Sequence, residues 1–567
     1  MPAGSLADVT VPATLQDSLM SRLDRMDQAR EVAQVGAAIG REFTYELLAA
    51  VSAIDESRLK SSLRQLSDAE IVFERSPPAR FVFKHALIQD VAYQSLLRST
   101  RQVFHARIAS ALEERFPDLA REQPELLGHH YSAAGKPERA IPLLRRAAEE
   151  ALKKSAYAEA AGHFTRCLAE VQRLPSLEER TRLELGLQVA LAVPLTATRG
   201  YSAPEVRAVY ARARELCERL GDPAQMFATL YGMWRSCLLR AEYNTGLEIG
   251  AQLREIAQRE GGEGFTVAAE RVIASTSFYT GGYRESLDGS MRVLASHDVQ
   301  HTVREAASSY EVVDSFVAGR SYAAWASWML GRETEAVGYC AAAVDSAERL
   351  GQGFSRALAL SFATWLHHFR RAPEATLKCA RAALEVARDQ GLGMWLGWNH
   401  VLEGWALARL GEDVDAQADR IRRGIDEWRS TGSELGMTLY LALLAEVEDL
   451  RGRPEAGLAA LADAESSVAR LNERFYLPEI LRLRGRLLAR TGESDAPALR
   501  AMDDAVISAR DARSVLFELR AMATRARHTG DEVDRTALAA RVRIAVAEEG
   551  VDGAASDVRA ALALTDR

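Results

Sequence analysis

The sequence predicts an all-α protein: a solenoid of helical hairpins with a period of about 40 residues, preceded by a small domain that contains a β-hairpin. Three repeating features predict the solenoid. The first is a set of tryptophans within apolar helical stretches, Trp325, Trp365 and Trp405, at intervals of 40 residues. A single hairpin cannot bury its apolar face, but stacked hairpins can, so these tryptophans are expected in the repeat core rather than in a ligand cage.

The second feature is a residue suited to ending a helix. Glycine and asparagine tolerate the left-handed conformation that closes helices. They recur at Gly351, Gly391, Gly432 and Asn472, separated by 40, 41 and 40 residues, and earlier at Gly221 and Gly261, 40 apart. From Gly261 to Gly351 is 90 residues, which predicts two repeats and an insertion of about ten residues within 296–320.

The third feature is a small residue after each turn between helices, which would let the two helices approach closely. The predicted positions are Gly246, Ser286, Ala336, Ala375, Ala416, Ala456 and Ala496. The turns G-x-Y-x-E-S and G-R-x-x-E-A favour tetratricopeptide-like units over HEAT units of similar length. We therefore expect about seven units in 205–515, a helical connector with irregular repeats in 99–204, and a helical cap in 516–567.

Composition narrows the function classes. The chain has 71 basic and 79 acidic residues, a net charge of -8, which argues against broad binding to nucleic acid or membrane surfaces. Its five cysteines lack a C-x-x-C pair and are expected to be reduced and packed. No signal peptide is recognised, and the most apolar run, 185–197, is too short to span a bilayer. A cytoplasmic protein is predicted.

The first hundred residues lack the repeat markers. Residues 1–14 are expected to be a linker or truncated end, and 15–98 a separate domain. Short helices are predicted at 15–26, 29–38, 43–52 and 57–68. The stretch IVFERSPPARFVF then places two β-prone triplets around a Pro-Pro turn, which predicts a hairpin, and a helix follows it. Helices with a two-stranded wing indicate a winged-helix-like domain.

The chain resembles, over nearly its whole length, a family of large bacterial signalling proteins. These combine a class III adenylate cyclase domain, a STAND-type P-loop NTPase domain and a C-terminal tetratricopeptide region. The segments that carry the resemblance include VPATLQDSLMSRLDRMDQAREVAQVGAAIGREFTYELLAAV, FVFKHALIQDVAYQSLL, RQVFHARIASALEERFP, QPELLGHHYSAAG, SRALALSFATWLHHFRR and FYLPEILRLRGRLLA.

The resemblance implies the regulatory part of such a protein without its catalytic part. The sequence has no G-x-x-x-x-G-K-[ST] and no cyclase-like carboxylate pair, so we expect no enzyme activity, no catalytic residue and no cofactor of its own. It implies a protein or peptide partner in the solenoid groove, and a P-loop NTPase or adenylate cyclase acting in trans. It also makes His85 a candidate nucleotide-sensing residue, provided that an NTPase domain is supplied; local packing at a helix start is the alternative.

A DNA-binding transcriptional regulator is the alternative function, because a winged helix can place a recognition helix in the major groove. Its candidate contacts are Lys84, Arg98, Arg101 and Arg107. Acidic neighbours dilute this patch, and nucleic-acid binding is not favoured.

Histidines were considered as metal ligands, and no metal site is predicted. Adjacent histidines on a helix point about 100° apart, so His129-His130 and His367-His368 each offer one ligand on a given face. No histidine or cysteine at i+4 completes either site. His163 and Cys167 have that spacing but lack further ligands.

Overall fold

In a computed structural model of the chain, the described residues are 23, 26–75, 80–154, 156–200, 203–296, 313–492 and 495–565. The predicted end segment 1–14, most of the predicted helix 15–26, the Pro-Pro turn and most of the predicted insertion lie outside them. The chain divides into two compact units, Met1–Pro194 and Leu195–Arg567. No helix in the described ranges is long and apolar enough to cross a membrane.

The first unit begins with short helices and strands and continues as helices only. Its strands are β1 (Glu42–Thr44), β2 (Val72–Arg75) and β3 (Arg80–Phe83). Its helices, the last of which extends beyond Pro194, are α1 (Asp27–Ile39), α2 (Tyr45–Val51), α3 (Glu56–Asp68), α4 (Ala86–Gln94), α5 (Arg98–Arg115), α6 (Pro117–Glu122), α7 (Pro124–Ala133), α8 (Pro137–Lys153), α9 (Tyr157–Val171) and α10 (Leu177–Arg199).

The three strands form an antiparallel sheet in the order β1-β3-β2. The β2–β3 pairing confirms the predicted hairpin. Strand β1 corrects the sequence prediction, which places 43–52 entirely in a helix. Thr44 is extended and its hydroxyl accepts a hydrogen bond from Leu47 N at 3.2 Å, so α2 begins only after it. Phe43 pairs with Phe81 across β1–β3, and their stacked rings, 5.9 Å apart, anchor the added strand in the core.

The second unit consists of helical hairpins. The first helices of the hairpins are α12 (Pro223–Leu239), α14 (Glu263–Tyr279), α16 (Ser315–Met329), α18 (Gly353–Phe369), α20 (Met394–Arg409), α22 (Met437–Leu450), α24 (Leu477–Thr491) and α26 (Val515–Thr529). The second helices are α13 (Tyr243–Glu260), α15 (Tyr283–Ala295), α17 (Glu333–Leu350), α19 (Pro373–Asp389), α21 (Val414–Ser430), α23 (Pro454–Leu471), α25 (Asp495–Asp511) and α27 (Glu532–Ala547). Helix α11 (Pro204–Leu220) precedes the hairpins, and α28 (Ser556–Thr565) packs on both helices of the last hairpin.

The helix-ending residues are where the sequence placed them. All six have a positive φ, between 59° and 75°, which favours glycine or asparagine. The array continues through α26 and α27, which form another hairpin in the stretch where a cap is predicted.

The small residues at the helix crossings were only partly predicted. Gly246, Ser286 and Ala336 are buried, whereas Ala416 and Ala456 are exposed. In five hairpins the buried residue lies five positions after a turn residue with positive φ. These turn residues are Ala241, Gly281, Gly331, Arg371 and Gly452, which place Gly246, Ser286, Ala336, Thr376 and Gly457 at the crossing. In these hairpins the turn conformation therefore fixes which residue meets the partner helix.

The first helices pack against one another around a shared aromatic core. Trp365 is fully buried and stacks between Trp325 and Trp398, with ring centroids 4.6 and 4.4 Å away. Phe475, which precedes α24, stacks on Trp365 at 5.3 Å, and its backbone N–H donates to Tyr279 O of α14 at 3.1 Å. Hairpins far apart in sequence therefore meet at the axis, and side chains fill the predicted groove in this part of the array. This confirms the prediction that the tryptophans are core residues.

Candidate functional site

The filled interior leaves a pocket at each end of α18 and α20. At their N-terminal turns is an apolar cavity of about 80 Å³ whose lining includes Phe354, Trp395 and Trp398. At their C-terminal ends is a second pocket of about 320 Å³. Ligand sites usually have volumes of about 300–1,000 Å³, so of these two pockets the second has the size of a binding site.

We call the second the arginine pocket. Six arginines line it, together with two acids, Thr524 and two alanines. The arginines are Arg371, Arg409, Arg482, Arg486, Arg520 and Arg527. They come from the turn after α18, the C-terminal end of α20, and two positions each on α24 and α26, so the packing of the first helices brings them together.

Buried ion pairs form the floor of the pocket. Arg371 donates to both carboxylate oxygens of Glu446, at 2.6 and 2.8 Å, and to Glu479 at 2.6 Å. Arg482 binds Glu479 at 2.8 and 3.1 Å. Arg520 forms a bidentate ion pair with Asp557, with hydrogen bonds of 2.7 and 2.6 Å. Each of these three arginines has a fixed structural partner, as buried charges require.

The floor arginines keep the acids ionised. Burial acts to raise the pKa of the Glu446 carboxyl, but the guanidiniums led by Arg371 outweigh it and hold that pKa well below its ordinary value. The pKa of Glu479 is lowered in the same way, against burial, by Arg482, Arg520 and Arg371. Glu446 and Glu479 are therefore ionised at neutral pH.

The mouth of the pocket has arginines in excess. Arg409 and Arg527 are exposed, and neither forms an ion pair within the described ranges. Arg486 binds Asp449 at 2.5 Å, but it shares that carboxylate with Arg490. The six arginines that line the pocket are balanced by only three carboxylates, those of Glu446, Glu479 and Asp557. When Asp449 and Arg490 are included, seven arginines are balanced by four carboxylates. Either count leaves three positive charges.

The excess charge affects the arginines themselves. Burial and the nearby Arg482 guanidinium lower the pKa of Arg486 and of Arg527. Crowded cations with too few anions attract an external anion, and guanidinium groups can bind carboxylate or phosphate with two parallel hydrogen bonds. The pocket is therefore suited chemically to a carboxylate- or phosphate-bearing ligand.

Arg371 also has a backbone conformation that is uncommon for its residue type. Its φ of 57° lies in the left-handed region, at a turn position where four other hairpins have Gly281, Gly331, Gly411 and Gly452 and one has Ala241. A non-glycine residue costs about 1 kcal/mol or more there. The sequence accepts this cost at the residue that links two buried acids of the pocket.

The residues predicted to sense nucleotide or bind DNA lie in the first unit. His85 is exposed immediately before α4, and no side-chain hydrogen bond of its own caps the helix. Lys84 is paired with Glu70 at 2.6 Å. Arg101 donates to the backbone carbonyls of Leu96 and Gln94 at 3.0 and 2.8 Å. Arg98 and Arg107 are exposed.

Two of the candidate ligand pairs, His367-His368 and His163 with Cys167, have local partners instead. His368 is fully buried, and its Nε2 lies 2.8 Å from the Tyr476 hydroxyl. His163 Nδ1 accepts from Arg166 at 2.8 Å, while Cys167 Sγ donates to a backbone carbonyl at 3.4 Å. All five cysteines are free, and burial raises the pKa of each thiol. Packed, protonated thiols match the sequence prediction.

His129 and His130 differ from those pairs, because the structure adds a third histidine. His105 of α5 lies against the pair on α7, and one ring nitrogen from each of the three lies within 4.8 Å of the others. Burial is the main cause that lowers the pKa of His105 to about 4 and of His130 to about 3, and it also lowers the pKa of His129. His105 could not be found from i+4 spacing on one helix, because it lies on α5 and the other two lie on α7.

The fold of the second unit and its pocket define a tetratricopeptide-like solenoid of helical hairpins with an arginine-rich pocket. No protein-family model matches the chain. An uncharacterised protein of Rhizobium meliloti (strain 1021) is 25% identical over 487 residues, which cover 85% of this chain and 47% of that protein. The chain thus spans about half the length of this curated relative.

Two solved structures are similar at a distance. A STAND protein with a tetratricopeptide repeat sensor from Pyrococcus horikoshii has a TM-score of 0.42 and 11% identity, over 79% of this chain and 65% of that one. Rap protein complexed with competence and sporulation factor has a TM-score of 0.41 and 10% identity, over 62% and 99%. Likenesses at this level carry no inference about ligand or partner.

Proposed function

We propose that the chain is a non-catalytic regulatory module that binds a partner protein through an anionic segment seated in the arginine pocket. The observation that carries the proposal is the excess of three positive charges at the mouth of a pocket of ligand size. Because the whole chain has a net charge of -8, this cluster is a local exception. Arginine clusters are a common means of recognising acidic or phosphorylated segments.

The arginines of the pocket fall into a structural group, paired with buried acids, and a group available for binding. Arg371, Arg482 and Arg520 are held by buried acids, so they shape the floor. Arg409 and Arg527 have no ion-pair partner in the described residues, so they can close on an incoming carboxylate or phosphate. The free guanidiniums are therefore the ones we assign to recognition.

The regulatory target follows from the family resemblance rather than from the pocket. We propose that the partner is linked to a P-loop NTPase or adenylate cyclase in trans, and that the winged-helix-like domain transmits the bound state. His85 is the proposed nucleotide-sensing residue, since it is exposed at the N-terminal end of α4 and such ends favour anions. A cytoplasmic location is proposed with it. The DNA-binding alternative has less support, because Lys84 and Arg101 already have partners within the domain.

Fluorescence anisotropy tests anion recognition. The probes are a labelled octapeptide rich in glutamate and aspartate, and its glutamine and asparagine counterpart. We expect the acidic peptide to bind, more weakly as salt rises, and the neutral peptide not to bind. Competition by inorganic phosphate and by a phosphoserine peptide would show whether phosphate is preferred over carboxylate.

Two variants with the same change of charge provide the control. Arg409→Gln with Arg527→Gln removes the free guanidiniums of the mouth and should weaken binding at least tenfold. Arg98→Gln with Arg107→Gln removes two exposed arginines of α5 and should leave binding unchanged. Equal binding of both peptides, or equal loss in both double variants, would reject the pocket as the anion site.

A separate experiment tests the regulatory target. The intact chain and His85→Ala serve as baits in native lysate, with and without added nucleotide. Capture of a P-loop NTPase or cyclase that responds to nucleotide only with the unsubstituted bait supports the proposed role of His85. If the two baits behave alike, His85 has no sensing role.

A further inference from the structure

Three histidines from two helices meet in the first unit without a role in the proposed function. His105 comes from the middle of α5, and His129 and His130 are adjacent on α7. The ring centroids are 5.7 Å apart for His105 and His129, 5.1 Å for His105 and His130, and 5.3 Å for His129 and His130. No ring is remote from the other two, so the three form one cluster.

A packed histidine pair explains only part of this arrangement. His105 Nδ1 and His130 Nδ1 are 2.8 Å apart, so one of them donates a hydrogen bond to the other. His130 Nε2 is buried and has no hydrogen-bond partner in the described residues. His129 is exposed and takes no part in the hydrogen bond, although its ring makes T-shaped contacts with both others.

The geometry is close to what a metal ion requires. A zinc ion holds imidazole nitrogens at about 2.0–2.1 Å, which places pairs of them about 3.3–3.6 Å apart. The three ring nitrogens already lie within 4.8 Å of one another, so shifts of roughly 1 Å would suffice. Tyr93 adds an outer contact, because its hydroxyl lies 2.9 Å from His105 Nε2 and can fix the orientation of that ring.

We propose that His105, His129 and His130 bind one transition-metal ion of the zinc and cobalt class, with Tyr93 as a positioning residue. Three imidazoles without a carboxylate suit Zn²⁺, Co²⁺, Ni²⁺ or Cu²⁺ and not Mg²⁺ or Ca²⁺, which need oxygen ligands. The bound ion would join α5 to α7, since His105 lies on α5 and His129 and His130 lie on α7. The site fastens two helices of the first unit and is independent of the arginine pocket.

Titration of the full chain with Co²⁺ is the test, after chelator treatment and with any histidine tag removed. We expect one Co²⁺ per chain, the visible absorption of a nitrogen-ligated ion of low coordination number, and displacement by Zn²⁺. The titration of the unsubstituted chain is decisive by itself: absence of saturable binding at one ion per chain overturns the proposal whatever any variant does.

Variants then locate the ion. His129→Gln replaces the exposed ligand, so the fold should persist, and the affinity should fall at least tenfold. Tyr93→Phe should reduce affinity about tenfold and shift the absorption bands, which packing alone would not do. His400→Gln, a histidine paired with Glu427 elsewhere, should change neither affinity nor spectrum. Unaltered binding in folded His129→Gln would place the ion elsewhere and refute the site.

Discussion

Replacing Arg371 by glutamine should destabilise the second unit strongly while leaving its helices in place. The guanidinium holds Glu446 and Glu479, which are 4% and 0% exposed. Glu479 keeps Arg482 and Arg520, so the loss falls on Glu446, whose remaining donor is Trp405 Nε1 at 2.9 Å, with Arg482 4.0 Å away. Removing one partner of a buried pair costs about 3–5 kcal/mol, and we expect a loss in this range.

Urea unfolding followed by tryptophan fluorescence measures the loss, because the core tryptophans report on this unit. Glu446→Gln should rescue part of the stability of Arg371→Gln, since it removes the uncompensated charge, giving a coupling free energy of about 2 kcal/mol or more. Arg409→Gln is the control and should change stability by less than about 0.5 kcal/mol. A loss below about 1 kcal/mol for Arg371→Gln, or no rescue by Glu446→Gln, would refute the reasoning.

Other predictions concern the core, the turns and pH. Trp365→Ala should lower the free energy of unfolding by about 3–5 kcal/mol, whereas Ile507→Ala, at an exposed position, should lower it by less than about 0.5 kcal/mol. Similar urea midpoints for the two variants would contradict the placement of Trp365 in the core. Gly391→Ala, at φ 64°, should lower the melting temperature, and Gly338→Ala within α17 should raise it, although a Cβ atom would meet no neighbour within 4 Å at either position. A change of melting temperature in the same direction for both variants would contradict the turn assignment. Burial holds the pKa of His368 near 3 instead of 6.5, so the unfolded chain binds more protons below pH 6.5 and stability falls on acidification. His368→Leu should remove up to about 1.36 kcal/mol per pH unit of that slope between pH 6.5 and 4, and an unchanged slope would show that His368 is not the source.

The repeat and its helix ends could be predicted from sequence, because they depend on local requirements. Gly221, Gly351 and Gly391 end helices in the left-handed conformation that few other residues accept. Strand β1 could not be recognised, since three residues give no alternating pattern and its partner β3 lies 38 residues away. At Thr376 and Gly457, the crossing residue lies one position after the predicted Ala375 and Ala456, because it follows the turn residue rather than a fixed interval.

The arginine pocket could not be predicted, because it depends on how far the superhelix closes. Arg371 and Arg520 belong to different hairpins, and no pattern within one repeat relates them. Two features of the sequence nevertheless indicate the pocket. Arg371 occupies a turn position where glycine is usual, and α24 carries an arginine every four residues, at Arg482, Arg486 and Arg490. His105 was missed for the same reason, since the packing of α5 on α7 brings it to His129 and His130.

Anomalous diffraction from crystals soaked in tungstate would test the central claim most directly, because tungstate is a tetrahedral oxyanion whose position can be seen. We predict a strong anomalous peak between Arg409, Arg486 and Arg527, and its loss when Arg409 and Arg527 are both replaced by glutamine. An empty arginine pocket in crystals that bind tungstate elsewhere would contradict anion recognition at this site.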